Sequence, residues 1–402
     1  MKVLKFGGTS VGSAENIKKV SQIVEDEQPR FVVLSAVSGT TNDLVAICTC
    51  LYAEDKEGAH KIIEKFNFRY EELIEGLYDS EDYRIKGREH YIAFVDLLNG
   101  IVDSDFSEKE EKIVLAQGEV LSTKLFATKQ EEEGKDVMLL DSLEFMRLTA
   151  ENEPDLEFSK LELDTILTRH SGVELFIAQG YICRNSKGEI DNLQRGGSDY
   201  SASLLAEAID ASELQIWTDI DGMHYNDPRI VEHTKSIPKL SYEAIGTYIS
   251  EDTSEFGIKA VAAKDGIIVI KIKSTRMLLA YGFLKRLFEV FEKYETSVDV
   301  ITTSEVAVSL TIDNGKNLNK IVDELSIYGD VHVEKEQCII SVVGNFIADE
   351  KGTASIIFDS LREIPLRMIS FGGSKHNVTL LVNAKHKKEA LNALNDSLFS
   401  DK

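Results

Sequence analysis

Along roughly the first 245 residues, short apolar runs of strand length alternate with longer stretches in which apolar side chains recur at helical spacing. Residues 3–6, 31–36, 137–140, 175–179 and 214–217 are the runs, each bounded by polar or glycine-bearing turns. Near-continuous apolar runs of this length predict strands of a mostly parallel sheet covered on both faces. Between 43 and 101 a long charged region carries Ile62, Phe66, Leu73 and Leu77 at helical spacing and predicts a helical subdomain. The charge clusters at 108–112 and 131–135 read as solvated helix faces or loops.

The pattern changes in the last third. A strand at 267–272, a helix at 283–294, strands at 297–301 and 306–312 and a helix at 318–328 make one unit. The order then recurs with 338–343, a helix at 354–363, strands at 366–369 and 378–382, and a final helix from Lys387. A βαββαβ order repeated in tandem predicts two ferredoxin-like modules. The fold class expected is therefore α/β, a three-layer αβα domain over 1–245 followed by ferredoxin-like modules over 246–334 and 335–402. Paired modules behind an enzyme-like domain suggest a ligand sensor.

A length of 402 residues fits two or three domains. With 43% hydrophobic and 28% charged residues the chain has enough apolar material for buried sheets. No apolar run approaches the ~20 residues of a membrane-spanning helix, and Met1 to Phe6 runs straight into glycines, so neither a membrane span nor a secretory leader is expected. The formal net charge of -24 repels nucleic acid and anionic membrane surfaces, and no partner of either kind is expected. It repels small anions too. Any anionic substrate must therefore be met by local cations and helix N-termini. Cys48, Cys50, Cys183 and Cys338 form no CxxC pair and no zinc spacing, the usage of a reduced, cytoplasmic protein.

Five segments carry candidate chemistry. Lys5-Phe6-Gly7-Gly8-Thr9-Ser10 leaves a strand and meets a helix. Paired glycines admit a phosphate to the backbone, the hydroxyls can cap the helix, and the lysine can reach a transferring group. The spacing is neither a P-loop nor a GxGxxG turn. Ser35 to Asp43 repeats the arrangement of strand, polar turn and helix, and Arg195-Gly196-Gly197-Ser198-Asp199 offers a guanidinium fork for a carboxylate before a small-residue helix. Trp217-Thr218-Asp219-Ile220-Asp221-Gly222, with Asn226-Asp227-Pro228-Arg229 after it, is a loop at the C-terminal end of a strand, where open α/β sheets bind ligands. Gln117-Gly118-Glu119 begins a helical segment with one carboxylate placed to meet an ammonium group. Taken singly, each is as readily a turn, a cap or a surface residue.

Together and in order they resemble the aspartate kinases of the amino-acid kinase family. KFGGTSV, LSAVSGTTN, QGE, RGGSDYSA, WTDIDG, DPR and SVDVITTSE span nearly the whole chain. The resemblance implies transfer of the γ-phosphoryl group of ATP, with Mg²⁺, to the β-carboxylate of L-aspartate, at the head of lysine, threonine and methionine biosynthesis. It also implies C-terminal ACT modules and a homodimer formed through them. A carboxylate acceptor is already ionised at neutral pH, so the site needs positioning and charge neutralisation rather than a general base. The catalytic candidates are Lys5 and Asp199, the latter orienting the former. Lys5, Gly7, Gly8, Ser10, Thr218, Asp219, Tyr225, Asp227 and Arg229 would serve ATP, with no protein ligand assigned to the metal. Thr41, Glu119, Tyr181, Arg195 and Ser198 would bind aspartate, Glu119 meeting its ammonium and Arg195 its α-carboxylate. Met277, Gly282, Phe283, Leu284, Ser297, Val298, Asp299, Thr303, Ser304 and Glu305 fall on the family's inhibitor site, with Asp299 receiving the ammonium of an amino acid such as lysine. Ala280, where some lysine-sensitive relatives carry serine, leaves the effector open.

The family pattern is interrupted once. After Ile245 about 35 residues of it are missing, a whole element rather than a trimmed loop. Lys259, though it sits in a similar-looking Phe-Gly-Ile-Lys, precedes the strand at 267 and is left out. Two alternatives stand beside this reading: a non-catalytic or impaired amino-acid sensor, which the missing stretch would produce, and a same-fold kinase for another carboxylate or carbamate acceptor.

Overall fold

The computed structural model describes residues 1–25, 29–193, 197–219, 222, 224–236, 257–274, 281–345 and 347–399. The boundary expected at 245, and the shortened stretch after it, lie outside these residues. The chain divides into two compact units, Met1–Asp219 and Ile220–Lys402.

The first unit is built on a five-stranded, all-parallel sheet in the order β3-β4-β2-β1-β7. The strands are β1 (Lys2–Phe6), β2 (Arg30–Leu34), β3 (Val137–Leu139), β4 (Leu175–Gln179) and β7 (Glu213–Trp217), and β5 (Ile182–Arg184) with β6 (Ile190–Asn192) forms a separate hairpin. All five residues of β2 and of β4 are buried, as a sheet covered on both faces requires. Alternation divides their side chains between the two layers. Leu4, Phe6, Val32 and Leu34 face one core, and Val3, Phe31, Val33 and Phe176 face the other.

The first core is closed by helices α1 (Ala14–Ile23), α2 (Thr40–Tyr52), α3 (Lys56–Leu77), α4 (Glu81–Asp103) and α5 (Glu108–Glu132); α6 (Leu156–Arg169) and α7 (Gly197–Ala208) cover the second. The expected helical subdomain is α2 to α4, packed through a ring cluster of Phe66, Tyr70, Tyr91 and Phe94 with centroid spacings of 5.3–6.3 Å. Two local expectations are corrected. Thr9 and Ser10 do not cap α1; Ser13 does, accepting from the Asn16 amide at 3.2 Å. Glu119 does not open a helix but sits in the middle of α5, whose N-terminus is set by a Ser107/Glu110 capping box within the 108–112 charge cluster.

The second unit is a six-stranded antiparallel sheet, β12-β13-β11-β8-β10-β9. Its strands are β8 (Gly257–Lys273), β9 (Ile301–Thr303), β10 (Ala307–Ile312), β11 (Asp330–Asn345), β12 (Met368–Ser370) and β13 (Asn377–Asn383). Two long strands, β8 and β11, run through both modules, and their pairing shifts register between Glu334 and Ile339. The fourth strand of the second module, absent from the sequence pattern after Lys387, is supplied by the first half of β8, where Val261 pairs with Val342 and Ala263 with Ile340. Separate cores lie under the helices Phe283–Lys293 and Leu318–Leu325 and under Thr353–Ser360 and Lys387–Phe399.

Candidate active site

Parallel strands end in one row, so the turns that follow β1, β2 and β4 and the start of α7 meet at the C-terminal edge of the sheet. After β1, Gly8 comes so near the second turn that a Cβ there would stand 2.8 Å from the Ala36 carbonyl oxygen. The Ser38 amide donates to the Gly8 carbonyl at 3.1 Å and locks the two turns together. α2 begins from Gly39 at φ +84, a left-handed conformation, with no side chain capping it. The Thr40 amide donates to the Val37 carbonyl at 3.0 Å, which leaves the amides of Thr41 and Asn42 and the hydroxyls of Ser38 and Thr41 for a ligand. After β4, a Cβ on Gly180 would lie 2.4 Å from Ser198 Cβ, so only glycine admits α7 this closely. Tyr181 follows at φ +70, held there by its amide donating to Ser201 Oγ at 2.7 Å and its carbonyl accepting from Leu193 at 2.8 Å.

These turns line a cavity of about 450 Å³ walled by Gly8, Ser38, Thr41, Glu119, Tyr181 and Ser198. Glu119 is 5% exposed, and one carboxylate oxygen, Oε2, has no partner. Burial pushes its carboxyl up to about 7, against the Ala36 backbone amide that stabilises the anion. Burial, and next the Glu119 charge, push the Tyr181 hydroxyl up to about 12. A buried carboxylate oxygen without a partner beside open space can take a hydrogen-bond donor or a cation from a ligand.

Lys5 is 8% exposed, and its Nζ forms an ion pair with Asp199 Oδ1. The first and third glycine motifs, nearly two hundred residues apart in sequence, therefore meet through their charged side chains. With Asp199 engaged by the ammonium, an orienting role for it fits better than that of a proton acceptor. Gly7 and Ser10 follow Lys5 in the same turn, and Thr218 and Asp219 come directly after β7, the strand that pairs with β1. Trp217 stacks on Phe6 at 5.9 Å and fixes that edge. Among the described residues no cluster of three or more His, Cys, Asp or Glu could hold a metal ion. No described helix is long and apolar enough to cross a membrane.

The remaining expected residues fall elsewhere or outside the described part. Arg195 and Met277 are not among the described residues. Tyr225, Asp227 and Arg229 lie in the second unit. Tyr225 stacks on Phe399 at 4.9 Å, and Asp227 accepts from Arg229 Nε at 3.0 Å. Of the expected inhibitor residues, Gly282 takes φ +74 to start the helix that buries Phe283, with Leu284 on its outer side. Ser297, Val298, Thr303, Ser304 and Glu305 follow on or beside β9, the Ser304 amide closing the turn onto the Ala307 carbonyl at 2.8 Å. Asp299 already meets an ammonium: Lys264 Nζ stands 3.4 Å from it and 2.7 Å from Asp313. Ser35, Ala36 and Asn42 are cavity residues that sequence reasoning placed in a motif without giving them a role.

The model of the amino acid kinase family matches residues 1–280 and that of the ACT domain residues 340–398. Lysine-sensitive aspartokinase 3 of Escherichia coli is 30% identical over 451 aligned positions that span 99% of each chain. The alignment is longer than this chain, so the relative carries residues that this one lacks. Chloroplastic aspartokinase 3 of Arabidopsis thaliana is 29% identical over 99% of this chain and 81% of its own. Among solved structures, E. coli aspartokinase III in complex with aspartate and ADP is similar with a TM-score of 0.85 at 28% identity, with full coverage of both chains. The same enzyme with lysine and aspartate gives 0.73 at 27% identity, again with full coverage.

Proposed function

This chain belongs to the amino acid kinase family, among its aspartokinases, and is an ATP-dependent kinase acting on a carboxylate; from that premise we propose that it phosphorylates the β-carboxylate of L-aspartate to give 4-phospho-L-aspartate. The observation that carries this reading is the single cavity in which an unpartnered buried carboxylate, Glu119, faces the uncapped start of α2. An α-amino acid with a second carboxylate brings one cation and two anions, the charges that such a site complements. Glu119 takes the ammonium, and Ser38, Thr41, Ser198 and the α2 amides orient the carboxylates. Arg195, outside the described residues, adds a guanidinium for the α-carboxylate on the strength of its motif.

Lys5 reaches the transferring phosphoryl group, and Asp199 holds its ammonium in place until the phosphates arrive. Gly7, Gly8 and Ser10 leave room for the phosphates, and Thr218 and Asp219 are the proposed nucleotide side within the first unit. Mg²⁺ enters on the nucleotide's phosphates and supplies charge neutralisation. Because the acceptor is already an anion, no residue is assigned as a base; alignment of the two anions against Lys5 lowers the barrier.

Lysine, the ligand in a solved E. coli relative, is the proposed inhibitor, bound at the first ACT module of a homodimer around Asp299 and the Gly282 turn. Initial-rate ADP release with aspartate, N-acetylglutamate or no acceptor, each with and without lysine, tests both parts. ADP release that depends on aspartate and falls with lysine supports them. Release that ignores aspartate, or follows another acceptor, overturns the substrate assignment.

A further inference from the structure

The first unit carries a second concavity whose charge is opposite to that of the molecule. It is a cavity of about 580 Å³ bounded by Arg147, Asp155, Phe158, Arg184, Lys187 and Gly188. Arg147 and Arg184 are partners in a parallel β-bridge, fixed by the Leu148 amide donating to the Arg184 carbonyl at 2.8 Å and the Arg184 amide donating to the Met146 carbonyl at 2.9 Å. Like charges in directly paired positions repel and need a counter-charge.

The only carboxylate in the lining, Asp155, is already engaged twice. It accepts from the Phe158 amide at 3.0 Å as the cap of α6, and from Nε and Nη2 of Arg147 at 2.9 and 2.7 Å. Both interactions hold its carboxyl below the ordinary carboxylate range. Arg184, by contrast, has neutral partners, the carbonyls of Leu143 at 3.0 Å and Gly188 at 2.6 Å. Lys187 adds a third cation on the turn between β5 and β6. The lining thus bears three positive charges against one negative, in a chain whose net charge is -24.

Two of the cations, Arg147 and Arg184, are also preorganised. The Arg147 guanidinium lies 3.8 Å from the centroid of the Phe158 ring, and the Arg184 guanidinium is tied at two nitrogens, so little side-chain freedom remains to be lost on binding. We propose that the cavity between Arg147, Arg184 and Lys187 binds a small oxyanion of two or more negative charges, at a site separate from the substrate cavity. The hairpin that carries Arg184 and Lys187 follows directly on Tyr181 of that cavity, so the ligand would brace the base of an element that also shapes substrate binding.

Calorimetric titration of inorganic pyrophosphate, and separately of citrate, into the full chain saturated with ADP tests this. The expected result is a binding event that weakens as salt is raised, persists in Lys5→Ala, and is weakened at least about fivefold in Arg184→Met and in Lys187→Glu. Binding of pyrophosphate alone identifies a phosphoryl-bearing ligand; binding of both identifies charge as what is recognised. Lys187 is exposed, so its variant decides the matter even if Arg184→Met fails to fold. No binding of either anion at millimolar concentration, or binding unchanged in both variants, overturns the proposal.

Discussion

Replacing Glu119 by glutamine should have two effects of opposite sign. The carboxyl is 5% exposed, its Oε2 has no partner, and burial raises it from the ordinary carboxylate range to about 7. A shift of that size corresponds to about 3 kcal/mol between the two protonation states. The folded-state value is the raised one, so this group's contribution to stability is present below the ordinary carboxylate range and is lost as pH rises through about 7. Above that pH the ligand-free protein carries a buried, half-partnered charge, which Glu119→Gln removes. The variant without ligand should therefore melt several degrees higher than wild type at pH 8, and the difference should close by pH 4. Aspartate binding changes the other way. Loss of a charge-assisted bond to the ammonium costs about 1.5–3 kcal/mol, a rise of about 10- to 100-fold in the KM for aspartate with the KM for ATP nearly unchanged. In wild type the aspartate KM should climb as pH falls below about 7, because protonation removes the receptor charge; in the variant this dependence should flatten. Melting curves at pH 4 and 8, and initial-rate ADP release across aspartate concentrations, read both effects. An unchanged aspartate KM together with a lower melting temperature at pH 8 would show that Glu119 is a structural group, and the assignment would fail.

Other perturbations test the remaining parts. Lys5→Ala removes the cation paired with Asp199 and should lower kcat about 100-fold or more with a small change in the aspartate KM, measured by steady-state ADP release. Gly180→Ala forces a Cβ into Ser198 and should destabilise the first unit by about 1–3 kcal/mol while raising the aspartate KM; a denaturant melt within error of wild type would refute the close approach. Phe66→Ala, in the fully buried ring cluster, should cost about 3–5 kcal/mol in the same melt. Lys264→Met frees Asp299 of the ammonium it now meets and should lower the lysine concentration for half inhibition; an increase would show that Lys264 helps to build the effector site rather than competing for it.

Local signals carried the sequence reading far. Buried parallel strands must be apolar on both faces, so 3–6, 31–36 and 175–179 announced β1, β2 and β4 within two residues, and the repeated βαββαβ order announced the second sheet. Glycine at Gly8 and Gly39 marked the turns because backbone approach and left-handed φ leave no other choice. The chain alone could not say that Glu119 in the middle of α5 would be stripped of water and left with a bare oxygen, or that β8 would lend its first half to the second module. Those features come from pairing and packing between segments far apart in sequence, where desolvation and proximity belong to the assembled fold and not to any local pattern.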